Sequence, residues 1–149
     1  MSDFIILADG DTRHAVAALA SFSSNGLVSQ VHIAGDGYEA LDFLFSQRGI
    51  DKRNGGQPSL ILLDLGLPIT GGLHVLRTVK TDPRSATIPV VVFASSASDL
   101  DIHAAIKLGA DSVIEKPLTF HKLLLTATRI GVPIGRGGHG LAAGDRLGR

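Results

Sequence analysis

Three continuous apolar runs constrain the fold of this chain more than any other feature: FIILA at 4–8, LILLD at 60–64 and PVVVFA at 89–94. A strand with one wet face alternates apolar and polar residues, whereas an unbroken apolar run is typical of a strand buried on both faces of a parallel sheet. Two weaker and more polar segments, VSQVHIA at 28–34 and DSVIE at 111–115, predict further strands nearer the sheet edge. The sequence therefore predicts five strands.

The segments between these runs have helical spacing. Apolar residues recur at steps of three and four in DGYEALDFLFSQRG, GLHVLRTVKTD and SDLDIHAAIKLGA. In the last segment the predicted apolar face consists of Leu100, Ile102, Ala105, Ile106 and Leu108. Because strands and helices alternate, we expect parallel strands joined by right-handed crossovers. The predicted fold class is α/β, with a doubly wound five-stranded parallel sheet and helices on both faces.

The chain of 149 residues has the size of one domain, which we place at residues 1–131. Beyond Ile130 the composition changes to glycine with scattered arginine and without an apolar period. This change predicts a flexible Gly-rich tail at 132–149.

The composition excludes several classes of function. The chain has no cysteine, which excludes disulfides and thiolate metal sites. Lys plus Arg and Asp plus Glu are balanced at 14 each and aromatic residues are 5%, so we expect no nucleic-acid partner. The first apolar run is broken at Asp9 with no basic segment before it, so we expect neither a signal peptide nor a membrane partner, and a cytoplasmic location. The scattered histidines lack metal-ligand spacing.

Charged side chains stand where the apolar runs end. Asp9 follows the first run with Asp11 nearby, Asp64 ends the third strand, and Lys116 follows the fifth. On a doubly wound sheet these ends lie together, at the edge where ligands bind. Carboxylates from neighbouring strands suit Mg²⁺, and a lysine beside them can neutralise phosphoryl oxygens. Because phosphoryl transfer depends mainly on positioning and charge, such a set needs no dedicated base.

The segments LILLDLGLPITGGLHVLRTVK, IPVVVFASSASD and LGADSVIEKPL resemble, in order and spacing, the phosphoacceptor, switch and lysine segments of response-regulator receiver domains. The resemblance covers roughly residues 4–130. The segment ALDFLFSQRGIDKRNGGQP further resembles receivers that stand alone beside bacterial phytochrome kinases. The resemblance implies a flavodoxin-like receiver without an output domain, a signalling protein rather than an enzyme. It would take a phosphoryl group from a sensor histidine kinase, in light signalling if the kinase is a phytochrome.

The resemblance also implies roles for individual residues. Asp64 would be the phosphoacceptor, and Lys116 would bind the phosphoryl oxygens. Mg²⁺ would be held by Asp64, the backbone carbonyl of Gly66, Asp9 and Asp11. Leu67, Pro68 and Gly72 would shape the loop after the acceptor, and a cis peptide bond would precede Pro117.

One departure from the family pattern lies at the acid pair. Receivers normally end the first strand with two adjacent acids, but here Asp9 is followed by Gly10 and only then by Asp11. Gly10 then takes the place that contacts the metal directly. Asp11 either compensates or caps the following helix, in which case Mg²⁺ binds weakly.

A second departure lies at the switch. Ala94 stands where a Thr or Ser normally hydrogen-bonds the phosphoryl group, and Ser95 follows as a substitute donor. Val113 stands where the family often has an aromatic residue that turns inward on activation. We therefore interpret Ala94 and Val113 as switch positions that lack the usual side chains.

Two other functions remain open at this point. The departures are compatible with a degenerate receiver that acts as a phosphorylation-independent binding module. The segment IILADGDT also resembles the first motif of haloacid-dehalogenase-type phosphatases, with Asp9 as nucleophile and Asp11 as acid and base. That family expects the threonine one place later, and a further acid pair that SVIEKPL does not supply.

A homodimer is the second predicted partner interaction, through the face formed by the fourth helix, the fifth strand and the fifth helix. Leu123, Leu124 and Leu125 are consecutive, so they cannot all point inward on one helix. The alternative is a single exposed leucine, which is common on protein surfaces.

Overall fold

A computed structural model describes residues 4–27, 29–46, 57–68, 71–95 and 99–134. In these residues strands and helices alternate, as β1 Phe4–Ala8, α1 Thr12–Ser24, β2 Gln30–Ala34, α2 Gly37–Phe45, β3 Leu60–Asp64, α3 Gly72–Thr81, β4 Val90–Ala94, α4 Asp99–Lys107, β5 Ser112–Glu115 and α5 Phe120–Ile130. No helix of this described part is long and apolar enough to cross a bilayer.

All strand pairs are parallel, and the strand order is β2-β1-β3-β4-β5. The predicted five-stranded, doubly wound sheet is therefore confirmed. β1 and β3 coincide with the apolar runs at 4–8 and 60–64, and every residue in them is buried. β4 begins one residue after the start of its run because Pro89 has no N–H to donate to the ladder, although its carbonyl accepts from Ile61 N.

The continuous runs are explained by two separate cores, one on each face of the sheet. Phe4 and Ile6 point into the core beneath α2, α3 and α4, which we call the first core. Ile5 and Leu7 point into the second core, beneath α1 and α5. Since successive residues of a strand face opposite sides, both sides of β1 must be apolar.

The structure gives bounds to α1, which the sequence implies only through the alternation of strands and helices. Asp11 is its N-cap, and the Asp11 side chain accepts a hydrogen bond from Arg13 N at 2.9 Å. The buried residues of α1 are Ala15, Ala18 and Phe22, which are small except for the last. These side chains pack in the second core together with α5, and Phe120 N at the start of α5 donates to Ser21 Oγ of α1 at 2.9 Å.

The domain extends past the boundary predicted after Gly131. Gly131 ends α5 in the left-handed conformation, and Val132 N then donates to Ala127 O at 2.8 Å. Val132 is buried in the second core and Ile134 packs against it. The first residues of the predicted tail thus belong to the packed domain, and the rest of that prediction, 135–149, lies outside the described residues.

The apolar face predicted for α4 is wrong for two of its residues. Ala105 is fully buried, but Leu100 is 80% exposed and Ile106 is 57% exposed. On a helix these residues lie about 140° and about 100° around the axis from Ala105. Only a narrow stripe of this short helix is buried, so Leu100 and Ile106 face outward, while Leu108 just beyond its end still packs against the first core.

Candidate functional site

The carboxyl ends of β1, β3 and β5 bring the predicted Asp9, Asp64 and Lys116 together. β1 and β3 are neighbours in the sheet, so the two carboxylates lie at adjacent strand ends. Both are buried, Asp9 to 3% exposure and Asp64 to 5%. Lys116 reaches across from the end of β5, past β4, and its Nζ lies 3.2 Å from Asp64 Oδ2. Buried charges of this kind need specific partners.

Both oxygens of Asp64 have such a partner. Oδ1 accepts a hydrogen bond from Gly66 N at 2.9 Å, while Oδ2 faces the Lys116 ammonium. These two contacts orient the carboxylate at the floor of a cleft of about 190 Å³. The cleft is lined by Asp64, Leu65, Gly66, Ala94, Ser95, Asp101 and Lys116. A carboxylate held in this way can present an oxygen to an incoming electrophile while the ammonium stabilises added negative charge.

Lys116 is held by its backbone and by an aromatic ring. Lys116 N donates to Ala94 O at 2.9 Å, which extends the pairing of β4 and β5 to the lysine. The Nζ lies 5.6 Å from the centre of the Phe93 ring, within the range of a cation–π contact. The bond from Lys116 to Pro117 is cis, as the resemblance implied.

Asp9 is buried beside Asp64, and its charge is unfavourable there. Burial, together with the nearby charge of Asp64, raises the pKa of Asp9 above its ordinary value, although the hydrogen bond from Asp11 N opposes the shift. Two buried carboxylates thus face one lysine, which leaves excess negative charge. This donor set fits Mg²⁺, which binds through one or two carboxylates and keeps several waters. Within the described residues no group of three or more His, Cys, Asp or Glu side chains is arranged to hold a metal. A metal bound by Asp9 and Asp64 would therefore need other ligands, for which the resemblance implies Gly66 O, together with water.

The structure places Asp11 at the N-cap of α1 rather than among the buried carboxylates. Its side chain is about one-third exposed and lies 3.7 Å from His14 Nδ1. Despite some desolvation, the backbone N–H of Arg13 and the nearby His14 lower the pKa of Asp11. The capping alternative is therefore observed, while a contribution of Asp11 to a metal site stays a prediction.

The two predicted switch positions carry apolar side chains and are partly buried. Ala94 ends β4 and lines the cleft, where its methyl group offers no hydrogen-bond donor. Ser95, the next residue, is exposed and lines the same cleft. Val113 is half-buried in β5 and packs against the first core, beneath α4. Ser95 is thus the hydroxyl nearest in sequence to the predicted switch that also borders the acceptor.

Two residues near the site were not predicted. Asp101 on α4 lines the same cleft as Asp64, and the acidic cluster SDLD at the start of that helix was its only signal in the sequence. His14 borders an adjoining cavity of about 400 Å³ together with Asp9 and Lys116. Its position follows from the capping of α1 by Asp11, which puts His14 in the first turn beside the acids.

Comparison with protein families and with curated proteins shows similarity to response regulators. The family model described as response regulator receiver domain matches residues 5–128. Among curated proteins, the probable methanogenesis regulatory protein FilR2 of Methanothrix harundinacea (strain 6Ac) is 35% identical over 128 residues. The match covers 85% of this chain and 79% of that protein.

Among solved structures, the bacteriophytochrome response regulator AtBRR superposes with a TM-score of 0.80 at 31% identity. The superposition covers 93% of this chain and 99% of AtBRR. The Mn²⁺-bound form of response regulator Rcp1 superposes with a TM-score of 0.67 at 28% identity, covering 85% of this chain and 90% of that one.

Proposed function

The chain belongs to the response regulator receiver domain family, and we propose that it accepts a phosphoryl group from a sensor histidine kinase on Asp64. The observation that carries the proposal is the buried Asp64 carboxylate with one oxygen on Gly66 N and the other on Lys116 Nζ. The family consists of signalling modules, and the chemistry requires one acceptor rather than a turnover cycle.

In the proposed reaction, a carboxylate oxygen of Asp64 attacks the phosphorus of a phosphohistidine. The new O–P bond forms as the N–P bond breaks, and the electron pair of that bond returns to the imidazole of the kinase. Lys116 neutralises the phosphoryl oxygens as they approach the buried carboxylate. Gly66 N holds the other oxygen of Asp64 in place, so that little reorganisation is needed during the transfer.

We propose that Mg²⁺ assists this step, held by Asp9, Asp64 and the carbonyl of Gly66. A bound divalent cation would supply charge neutralisation between the acceptor and the phosphoryl group. The excess negative charge of the site supports this, because burial and Asp64 already raise the pKa of Asp9. Asp11 at the cap of α1 adds negative charge from outside the buried set.

The test is the intact mass of the protein after incubation with a small phosphodonor, such as acetyl phosphate or phosphoramidate, and Mg²⁺. Wild type should gain one phosphoryl group and Asp64→Asn none, while Asp42→Asn, an exposed acid on α2, should behave as wild type. Absence of any gain in wild type with both donors would overturn the proposal. Hydrolysis of a phosphate ester that survives Asp64→Asn and disappears in Asp9→Asn would instead favour the phosphatase alternative.

The degenerate-receiver alternative keeps one specific observation in its favour. Ala94 and Val113 offer neither a donor nor an aromatic ring at the switch positions. In that case partner binding would be the same for wild type and Asp64→Asn, with or without phosphodonor. We place it second, because a module without acceptor chemistry has no need for a buried carboxylate oriented by Lys116.

We further propose a phytochrome-linked histidine kinase as the phosphodonor, on the basis of the superposition with AtBRR. The resemblance of the segment before β3 to phytochrome-associated receivers supports the same partner. Phosphotransfer assayed with a panel of purified kinases, in light and in darkness, would test it. Transfer that is fast with a phytochrome kinase and responds to light is the expected result, and transfer only from kinases without a photosensor would contradict it.

A homodimer through α4, β5 and α5 is the last part of the proposal. Leu100 and Ile106 on α4 and Leu125 on α5 are the supporting residues, because all three are more than half exposed. Leu123 is buried and Leu125 is 51% exposed, so the leucine run does divide between core and surface. Light scattering of Leu100→Glu/Ile106→Glu should report a monomer where wild type is a dimer. Val16→Glu on α1, at a residue as exposed as Ile106, should leave the dimer intact, and a monomeric wild type would contradict the proposal.

A further inference from the structure

A surface groove runs between α3 and α4, on the side of the sheet that carries the first core. It has a volume of about 470 Å³, is open to solvent, and is lined by Leu73, His74, Arg77, Ala104, Lys107 and Leu108. None of these residues lines the cleft that contains Asp64. The α3–α4 groove is therefore a surface distinct from the site of the proposed phosphoryl transfer.

The floor of the α3–α4 groove is apolar. Leu73 and Leu108 pack against the first core and keep part of their surface accessible. Ala104 lies one turn before Leu108 and is also half-buried. Because the Ala104 side chain is a single methyl group, it leaves the space between the two helices open. An apolar strip of this form fits the apolar face of a third helix.

The ends of the two helices are held together beside the groove. Lys80, in the last turn of α3, donates to Ile88 O at 2.6 Å and lies 3.1 Å from Asp111 Oδ2. A Cβ atom at Gly109, just after α4, would lie 3.2 Å from Lys80 Cγ, so the chain approaches α3 closely there. These contacts fix the spacing of the helices. A preformed groove requires little ordering when a partner binds, which favours affinity.

The basic side chains of the groove lack acidic partners. Four other basic side chains of the described residues form ion pairs: Arg13 with Asp11, Lys80 with Asp111, Arg84 with Asp82 and Lys116 with Asp64. A fifth, Lys122, donates to the carbonyl of Glu115.

By contrast, Arg77, Lys107 and His74 form no ion pair and no side-chain hydrogen bond within the part of the chain that the structure describes. Arg129 on α5 shares this property but lies outside the groove. The groove thus combines an apolar floor with unpaired positive charge at its rim.

We propose that the α3–α4 groove binds an acidic amphipathic helix of a partner protein. The apolar face of that helix would lie on Leu73, Ala104 and Leu108, and its carboxylates would pair with Arg77 and Lys107. The 10 residues of α3 span about 15 Å, which matches about three turns of a partner helix. A small anionic ligand fits less well, because such ligands bind where most of their surface is buried.

The test is a titration of the isotope-labelled full chain, followed by amide chemical shifts. The probe is a synthetic peptide of about four helical turns, with leucines on one face and glutamates elsewhere. One control peptide has lysine in place of glutamate, and another has the same composition with the leucine stripe scrambled. We expect the acidic amphipathic peptide to shift the amide resonances of residues 73–77 and 104–108 and to bind more weakly as salt is added. Neither control peptide should do so.

Variants of the groove separate the charge contribution from the apolar one. Arg77→Glu should weaken peptide binding about tenfold or more, because it places like charges together. Ala104→Phe fills the space between the helices without changing the charge, and it should weaken binding by a similar factor. Arg129→Glu should bind as wild type, since it makes the same charge change outside the groove. Ile106→Glu should also bind as wild type, because Ile106 lies about 160° around α4 from Ala104, on the proposed dimer face.

Several results would overturn the proposal: no binding of the acidic amphipathic peptide, equal binding of the scrambled peptide, undiminished binding by Ala104→Phe, or equal loss in Arg77→Glu and Arg129→Glu. Binding to phosphatidylserine vesicles in place of the peptide would assign the groove to a membrane surface. Self-association that Arg77→Glu abolishes would assign it to a second copy of the chain. If Arg77→Glu does not fold, Lys107→Glu decides in its place. Asp64→Asn should bind the peptide as wild type does, so the result stands whether or not Asp64 accepts a phosphoryl group.

Discussion

Two regions of the molecule lie on neighbouring strands but differ in their polar contacts. One is the proposed acceptor pair, Asp64 and Lys116, and the other is the pair of predicted switch positions, Ala94 and Val113. In the acceptor pair, both carboxylate oxygens and the ammonium have identified partners. At the switch positions the side chains are small or apolar, and Val113 already packs against the first core. The two regions are carried by β3, β4 and β5, which are paired neighbours in the sheet.

On the basis of this difference we propose that accepting a phosphoryl group and responding to it are separable properties of this chain. Transfer depends on a few polar contacts around one carboxylate, which the local structure supplies. A response requires an element with two arrangements that the phosphoryl group stabilises unequally. The chain retains the first set of residues and lacks the usual members of the second.

The largest expected effect is the loss of the ammonium from the acceptor pair. Lys116→Met should slow phosphoryl gain from acetyl phosphate by about 100-fold to 1000-fold, the range for removal of one charge-stabilising group. Lys107→Met, an exposed lysine on α4, is the control and should react at the wild-type rate. Equal rates for Lys116→Met and Lys107→Met would remove the distinction between the two regions.

The next effect concerns Ser95 as the substitute donor beside Ala94. If its hydroxyl contacts the phosphoryl group, Ser95→Ala should shorten the lifetime of the acyl phosphate by about tenfold, the value of one hydrogen bond to a charged group. The measurement is the decay of the phosphorylated mass after the phosphodonor is removed. Ser23→Ala, an exposed serine on α1, is the matched control. An unchanged lifetime in Ser95→Ala would leave the switch side without any polar contact.

A smaller effect is expected on stability at Asp9. The folded-state pKa of Asp9 is raised, so ionised Asp9 costs stability at pH values above that pKa, and stability falls as the pH rises through it. Asp9→Asn keeps an oxygen for the hydrogen bond from Asp11 N and should raise the free energy of unfolding at pH 7 by about 1 kcal/mol, as is common when a functional charge conflict is removed. It should also weaken Mg²⁺ binding.

Urea denaturation of wild type and Asp9→Asn at pH 7 and near the ordinary Asp pKa of 3.8 tests this sign. The advantage of the variant should shrink toward the lower pH, where Asp9 is protonated in the folded protein. Asp42→Asn should show no such advantage. A gain for Asp9→Asn that grows as the pH falls would contradict the assigned pKa direction.

The smallest effect is expected at Val113. Val113→Ala removes two methyl groups from a half-buried site and should cost about 1 kcal/mol of unfolding free energy. The rate of phosphoryl gain should stay within about twofold of wild type, because a tenfold change would require about 1.4 kcal/mol of transition-state stabilisation from an apolar side chain outside the acceptor cleft. A large change in that rate would show that β5 couples to the acceptor through packing alone.

The sheet could be predicted from the sequence because a strand buried on both faces must be apolar at every position. This requirement marks 4–8 and 60–64 without ambiguity, and it also places Asp64 at a strand end. The edge strands are more polar and only partly buried, so their predicted bounds, 28–34 and 111–115, extended beyond β2 and β5. The sequence was sufficient to predict a strand wherever burial on both faces requires every residue of the strand to be apolar.

The features that the sequence could not supply depend on how separate elements pack. The outward position of Leu100 follows from the rotation of α4 on the sheet, which its own periodicity does not specify. Gly10 and Pro68 are far apart in the chain, yet a Cβ atom at Gly10 would lie 2.5 Å from Pro68 Cδ, and neither residue predicts this close approach. Asp101 borders the acceptor cleft only because of where α4 begins. Each of these features depends on contacts between elements that are distant in the sequence, which no local sequence pattern records.

The central claim is that acceptor chemistry is intact while the usual switch is absent. Amide hydrogen exchange tests it most directly, with wild type and Ala94→Thr compared in the presence and absence of beryllofluoride, which mimics the acyl phosphate. For wild type we predict added protection at residues 65–68, directly after Asp64, and unchanged exchange in α4, β5 and α5. Ala94→Thr, which restores a donor, should change exchange in both places. The claim would be contradicted if wild type changed exchange in α4 and β5 as much as Ala94→Thr does.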